Sequence, residues 1–117
     1  MKYPVALLFF LSIFSSCQPS FDEKDLVGKW KTIDWSIADT GEKINNKMNF
    51  DFKADKTYSI DYGIETEKGK YWIAADYLET VEDGMTSKKV KILKLTPDTF
   101  QFRMNRAGRL ENVLLVK

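Results

Sequence analysis

Apolar and polar residues alternate along most of the chain after position 26, with the period of two that is typical of β-strands. In MNFDF, for example, Met48, Phe50 and Phe52 share one face. Because sequential strands usually pair with their neighbours, the pattern predicts an all-β, antiparallel up-and-down meander of about eight strands. One helical turn is predicted at Asp22–Leu26, with Asp22 as its cap. The strand segments are LVGKWKTIDWSI, MNFDF, TYSIDY, GKYWIA, DYLETV, SKKVKILKL, TFQFRM and LENVLLVK.

The alternation breaks in two of these segments. Trp30 is out of phase with the set Ile33, Trp35 and Ile37 in the first strand, so this strand is predicted to change face midway. In KVKILKL the apolar phase switches between Ile92 and Leu93. A β-bulge produces such a switch and bends the strand. Bent strands are what a small closed sheet needs at its corners, so we predict a closed barrel rather than an open sandwich.

The first residues have the features of a targeting segment. Lys2 precedes an apolar run over 5–14, and the small residues Ser15 and Ser16 follow it. A membrane-spanning helix needs about 20 apolar residues, roughly twice the length of this run. The length fits the apolar core of a secretory signal peptide, so residues 1–16 are predicted to be one.

The only cysteine of the chain, Cys17, follows this segment directly. The sequence FSSC at 14–17 resembles the lipobox of bacterial lipoproteins, with Phe14 in place of the usual leucine. This resemblance implies cleavage before Cys17 and attachment of acyl chains such as palmitate to it. It further implies a lipid-anchored protein of the bacterial cell envelope, with the outer membrane as the expected site. Residues 17–25 would be the tether and 26–117 the domain. A plain signal peptide is the alternative.

Composition excludes several kinds of chemistry. The chain of 117 residues has no histidine and one cysteine. It therefore has no Ser-His-Asp or Cys-His catalytic system, no common zinc site and no internal disulfide. Removal of Lys2 from the 18 basic residues would leave them equal in number to the 17 acidic ones. A neutral domain has no general attraction to nucleic acid. We expect no metal, no cofactor, no nucleic-acid partner and no enzymatic activity.

Four lysines cluster in one segment, at positions 88, 89, 91 and 94. They lack the interleaved aromatic residues on which nucleic-acid bases stack. Lysines on an exposed strand more often prevent edge-to-edge aggregation, and that is the interpretation adopted for this segment.

The opening LVGKW at 26–30, directly after the tether, resembles the G-x-W motif of lipocalin-like domains in bacterial lipoproteins. The later FDFKADKTYSI, the Gly-x-x-Trp at 69–72 and LKLTPDTFQFRM fit the hairpin rhythm of that group. The resemblance implies a small barrel whose floor is formed by Gly28 and Trp30. In this family an arginine from a late strand often packs against the tryptophan, and Arg103 and Arg109 are both candidates. It also implies that the interior binds a small apolar molecule.

Large aromatic residues are predicted on the inner face, and two functions remain open for them. If they leave a cavity of at least about 300 Å³, the protein binds a small, apolar, neutral ligand. If they fill the barrel, it is a protein-interaction or inhibitor module that contacts an envelope protein partner. Carboxylate-based catalysis ranks last. The candidate ligand-binding residues are Tyr58, Tyr62, Trp72, Phe100 and Phe102.

The lipidation hypothesis predicts the result of replacing Cys17 with serine. The variant should leave the membrane fraction or accumulate as uncut precursor, because no acyl chain can be attached. Fractionation of the native host followed by immunoblotting measures this. A Cys17→Ser protein that is processed and still sediments with membranes would contradict the lipoprotein interpretation.

Overall fold

The computed structural model of this protein describes residues 21–117. The predicted signal peptide and Cys17 lie outside the described residues. The elements are α1 (Glu23–Leu26), β1 (Gly28–Ile37), β2 (Asn49–Phe52), β3 (Thr57–Asp61), β4 (Thr66–Ala74), β5 (Tyr77–Glu82), β6 (Ser87–Leu95), β7 (Thr99–Arg106) and β8 (Arg109–Val116).

The eight strands form one closed antiparallel barrel in which each strand pairs with the next in sequence. β1 closes it, since Gly28–Lys31 pair with β2 and Lys31–Ile37 pair with β8. The predicted all-β, up-and-down barrel is therefore confirmed. Turns at alternate ends define two rims. The β2–β3, β4–β5 and β6–β7 turns share one end with α1, and the β1–β2, β3–β4, β5–β6 and β7–β8 connections share the other.

A bulge in β1 explains the change of phase in its sequence. The register with β8 shifts between Thr32 and Asp34, and Ile33 is turned outward with 55% of its surface exposed. As a result Trp30 and Trp35 both point into the barrel, with 1% and 5% exposure. Two inward tryptophans an odd number of residues apart require such an extra residue in the strand.

A second bulge lies in β6, where the register with β7 shifts between Ile92 and Lys94. Ile92 and Leu95 are both buried, although regular alternation would place them on opposite faces. This is the position at which the sequence predicted a bulge, and the prediction is confirmed.

The helix α1 covers one end of the barrel, which we call the closed end. Asp22 caps the helix by accepting a hydrogen bond from the Lys24 backbone at 2.9 Å. Leu26, at the end of the helix, is fully buried, and its carbonyl accepts a 2.7 Å hydrogen bond from the Trp30 indole. The indole nitrogen is thereby paired although Trp30 lies in the core, as a buried donor requires.

Aromatic side chains fill the closed half of the interior. Phe52 packs edge-on against Tyr71 with ring centroids 4.9 Å apart, and Phe100 packs against Trp30 at 5.7 Å. The Tyr71 hydroxyl donates to the Lys53 carbonyl at 2.7 Å. Edge-to-face geometry of this kind adds to the stabilisation from burial. No more than a few per cent of any of these four rings is exposed.

The cation next to Trp30 is not one of the two predicted arginines. Lys117 Nζ lies 4.9 Å from the Trp30 ring centroid, and a Cβ on Gly28 would lie only 2.9 Å from Lys117 Cε. Arg103 instead bonds Asn112 on the outer face, and Arg109 lies at the opposite end of the barrel. The prediction was wrong because it assigned the partner of Trp30 by family pattern. The strand register instead brings Lys117, which follows β8, to the barrel floor.

Replacement of Trp30 by alanine should lower the free energy of unfolding by about 3–5 kcal/mol, because it leaves a large cavity at the closed end. Urea unfolding followed by circular dichroism measures this. The control is Trp72→Ala on the outer face, where more than a third of the side chain is exposed, and its loss should be much smaller. Equal losses in the two variants would contradict the floor role of Trp30.

Candidate functional site

The end of the barrel opposite α1, which we call the open end, contains an internal cavity of about 110 Å³. Its lining is mostly apolar and includes Met48, Phe50, Ile60, Leu78, Phe102 and Met104. The cavity is smaller than the predicted 300 Å³ because the aromatic side chains of the closed half occupy the rest of the interior. The closed half is thus filled, whereas the open half keeps a cavity that is below the size predicted for ligand binding.

A wider recess of about 440 Å³ lies above the cavity, at the rim of the open end. Tyr62 and Glu67 line both spaces, so they stand at the boundary between the inner cavity and the outer recess. The rest of the recess includes Trp35, Lys47 and Arg106. This arrangement gives the cavity a mouth that faces solvent.

Glu67 is the central polar group of the cavity. It occupies an inward position near the start of β4, and only 6% of its surface is exposed. Its carboxylate accepts hydrogen bonds from the Tyr58 hydroxyl at 2.5 Å, the Tyr62 hydroxyl at 2.9 Å and Lys88 Nζ at 3.3 Å. A buried carboxylate is tolerated only where such donors compensate for the lost hydration.

The two tyrosines are fixed in their role as donors. Burial raises the pKa of the Tyr58 and Tyr62 hydroxyls well above the ordinary value, and the hydrogen bonds to Glu67 raise it further. Neither hydroxyl therefore ionises in the physiological range. We call the set of Tyr58, Tyr62, Glu67 and Lys88 the Glu67 cluster.

The lysine-rich segment has a different role from the predicted one. It forms β6, which is paired on both sides in the closed barrel and so has no exposed edge. Lys88 turns inward to Glu67, while Lys89 lies 4.9 Å from the Tyr77 ring centroid on the outer face. Lys91 approaches Asp76 at 3.7 Å. The edge-protection interpretation was wrong, because the closed barrel, which the sequence analysis itself predicted, leaves β6 no free edge.

A second buried carboxylate lies on β8 at the open end. Glu111 is fully buried and accepts hydrogen bonds from Trp35 Nε1 and Arg109 Nη2, both at 2.8 Å. Arg106 Nε lies 3.1 Å from the same carboxylate, and its guanidinium lies over the Trp35 ring. Burial by itself raises the pKa of Glu111, but the bond from Trp35 and the two arginines outweigh it, so the pKa is lowered.

The predicted ligand-binding residues are distributed over three parts of the molecule. Tyr62 and Phe102 line the cavity, and Tyr58 reaches it through its bond to Glu67. Phe100 is fully buried against Trp30 in the closed half. The structure places Trp72 on the outer face, contrary to the prediction.

The error at Trp72 comes from the choice of phase in GKYWIA, where two aromatic residues are adjacent. The inward positions of β4 are Glu67, Gly69 and Tyr71, so Trp72 must point outward. Gly69 is buried in the same phase, and only glycine fits there because a Cβ would lie 1.9 Å from the Val81 carbonyl oxygen.

Sequence reasoning missed both buried carboxylates, although a signal for each was present. Glu111 has the same phase as Val113 and Leu115 in β8, and Glu67 has the same phase as Tyr71 in β4. A charged residue in the inward phase of a strand indicates a paired internal charge, because an unpaired one would not be tolerated. The partners themselves come from other strands and cannot be identified from one strand alone.

The described residues contain neither a membrane-spanning helix nor a group of metal ligands. In residues 21–117 no helix is long and apolar enough to cross a membrane. Within the same range, no three cysteine, aspartate or glutamate side chains are grouped as ligands for a metal ion.

A closed eight-stranded barrel with an internal cavity at one end defines a class of small β-barrel binding domains. The sequence profile of the lipocalin-like domain matches residues 26–102. The chain belongs to this lipocalin-like family, as the G-x-W motif predicted. A similar solved structure is a lipocalin-like protein from Bacteroides uniformis ATCC 8492, with 20% sequence identity and a TM-score of 0.59. The match covers 80% of this chain and 98% of that one, and it supports the fold alone. No curated protein matches the chain significantly.

The Glu111 cluster predicts how stability responds to acid. Glu111→Gln should lower the free energy of unfolding at neutral pH by about 1–3 kcal/mol, because it removes a buried charge that pairs with Arg106 and Arg109. The folded-state pKa of Glu111 is lowered, so its contribution is complete above the unfolded-state pKa of about 4.3 and is lost as pH falls through the folded-state value. The gap between the native protein and the variant should therefore narrow in acid.

Urea unfolding at several pH values measures the gap. Glu65→Gln at the exposed β3–β4 turn serves as a control that should change little. A Glu111→Gln gap that stays constant from neutral to acid pH would contradict the assigned role of the charge.

Proposed function

We propose that this protein is a non-enzymatic binding module of the bacterial cell envelope, which holds a small, largely apolar ligand in its barrel. The observation that carries the proposal is the internal cavity of about 110 Å³ at the open end, continuous in its lining with a recess of about 440 Å³. Burial of a short apolar group there would supply the binding free energy, at about 25 cal/mol per Å² of apolar surface removed from water.

The anchoring part of the proposal rests on the lipobox-like sequence that ends at Cys17. Acyl chains on this residue would hold the protein at the membrane, with the outer membrane as the proposed site. Two or three chains are needed for firm attachment, since one binds only weakly. The chain enters the barrel at α1, the closed end. A short tether would place this end toward the bilayer and leave the open end facing away from it.

A protein-interaction module is the second candidate, and exposed apolar side chains favour it. Ile64 in the β3–β4 turn is 94% exposed and Met85 in the β5–β6 turn is 63% exposed. Both lie on the rim of the open end, together with the partly exposed Leu110. Such residues could contact an envelope protein partner, but they surround the same mouth that a ligand would use.

Binding in the cavity can be tested by methyl NMR with a series of short-chain alcohols as neutral probes. Met48 and Met104 line the cavity and Met85 is exposed, so methyl-labelled methionine reports the cavity and carries its own control. We expect saturable shifts at Met48 and Met104 with little change at Met85. Val90→Phe should abolish them by filling the cavity, whereas Trp72→Ala should not.

If neither the alcohols nor amine and carboxylate probes of the same length shift the two cavity methyls, or if Val90→Phe leaves the shifts unchanged, the ligand-binding proposal fails and the protein-interaction module becomes the leading candidate. Native mass spectrometry of the protein from its own membrane complements this test, because a retained small molecule identifies the natural ligand.

A further inference from the structure

The Glu67 cluster has a capacity for hydrogen bonding that the protein itself does not use. A carboxylate offers about four lone-pair positions. Oε1 of Glu67 accepts bonds from Tyr62 and Lys88, whereas Oε2 accepts one, from Tyr58. One acceptor position therefore remains on a side chain that is 6% exposed and lines the apolar cavity. A molecule in the cavity would meet this position if it carried a hydrogen-bond donor.

The positive partner of Glu67 is weakly held. Lys88 Nζ lies 3.3 Å from Oε1, and 56% of its side chain is exposed. Exposed lysine pairs contribute little to stability, because the side chain is flexible and the ammonium is well hydrated. Lys88 can therefore turn to solvent at small cost when another cation approaches the carboxylate.

The charges nearest Glu67 favour a cation over an anion, although Lys47 also lines the outer recess. Glu65 and Glu82, like Glu67, raise the pKa of the Tyr62 hydroxyl by their negative charge. They therefore add to the negative potential at this position. Arg106 lines the outer recess, but its guanidinium is paired with the fully buried Glu111. Glu111 differs from Glu67, because its carboxylate is bonded by Trp35 and two arginines and does not line the cavity.

We propose that the cavity binds a small primary amine, with its apolar chain among the cavity side chains and its ammonium group on Glu67 in place of Lys88. This inference rests on the proposed ligand-binding function and specifies its ligand class. An amine ligand takes the place of the neutral ligand that the sequence predicted. The cavity of 110 Å³ has room for about four non-hydrogen atoms, at about 30 Å³ for each atom of water's size. A butyl chain therefore matches the inner space, and the head group then lies at the boundary formed by Glu67.

Three probes of the same length separate the alternatives: n-butylamine, n-butanol and butyrate. They are titrated at pH 7, where an amine with a pKa of about 10 is protonated. The full chain is held in lipid nanodiscs so that no free detergent competes, and the Met48 and Met104 methyl signals report binding. We expect n-butylamine to bind about tenfold more tightly than n-butanol, the scale of one charge-assisted hydrogen bond. Butyrate should bind most weakly.

Two variants with opposite expected effects make the assignment to Glu67 specific. Glu67→Gln should bring the affinities for amine and alcohol to about the same value, because it removes the charge and keeps the shape. Lys88→Gln should instead raise the preference for amine over alcohol severalfold, because it removes the competing ammonium. Lys88 is largely exposed, so this second variant keeps the test valid even if Glu67→Gln unfolds.

The outcomes separate a failure of the amine inference from a failure of the proposed binding function. If n-butanol binds and n-butylamine binds no better, or if butyrate is preferred, the amine inference is overturned and the binding module stands. If Lys88→Gln weakens amine binding, the displacement of Lys88 is overturned. If none of the three probes shifts the cavity methyls, the binding function itself fails.

Discussion

Closure of the barrel depends on β1, which forms hydrogen bonds to two different neighbours along its length. Its first residues pair with β2 and the remainder pair with β8. The bulge at Ile33 lies near this change of partner, and its extra residue turns both Trp30 and Trp35 into the barrel. Directly before β2 begins, the Thr32 hydroxyl donates to the Met48 carbonyl at 2.6 Å and accepts from the Met48 amide at 3.1 Å. These side-chain bonds take the place of strand pairing, so the amide and carbonyl of Met48 both have hydrogen-bond partners.

The two tryptophans on either side of this bulge stabilise different kinds of interior. Trp30 belongs to a group of closely packed aromatic rings beneath α1, where stability comes from apolar burial. Trp35 instead donates to the buried carboxylate of Glu111, which two arginines neutralise. A paired internal charge stabilises less than apolar packing of the same volume would. The closed half is therefore stabilised by apolar packing, whereas the open half contains buried charges that need specific partners.

Glu67 and Glu111 show how similar carboxylates acquire different roles from their surroundings. The partners of Glu111 include Trp35 and a bidentate Arg109, and they lie on its own hairpin and on neighbouring β1, so they are held in place by strand pairing. The partners of Glu67 are two tyrosines and an exposed lysine on β6. The first arrangement locks the open rim, whereas the second can exchange one of its members for a ligand group. The binding hypothesis depends on this difference.

The sequence by itself determined the strands and most of their faces, because period-two alternation follows directly from strand geometry. It also located the bulge in β6 and indicated a change of face in β1, since a change of phase within one strand is visible locally. Only the tertiary structure decided which residues meet across the barrel. The cation at Trp30 proved to be Lys117, and Tyr71 rather than Trp72 points inward. The partners of Glu67 come from β3 and β6 as well as from the turn after β3. Such contacts depend on register and closure, which a local pattern does not contain.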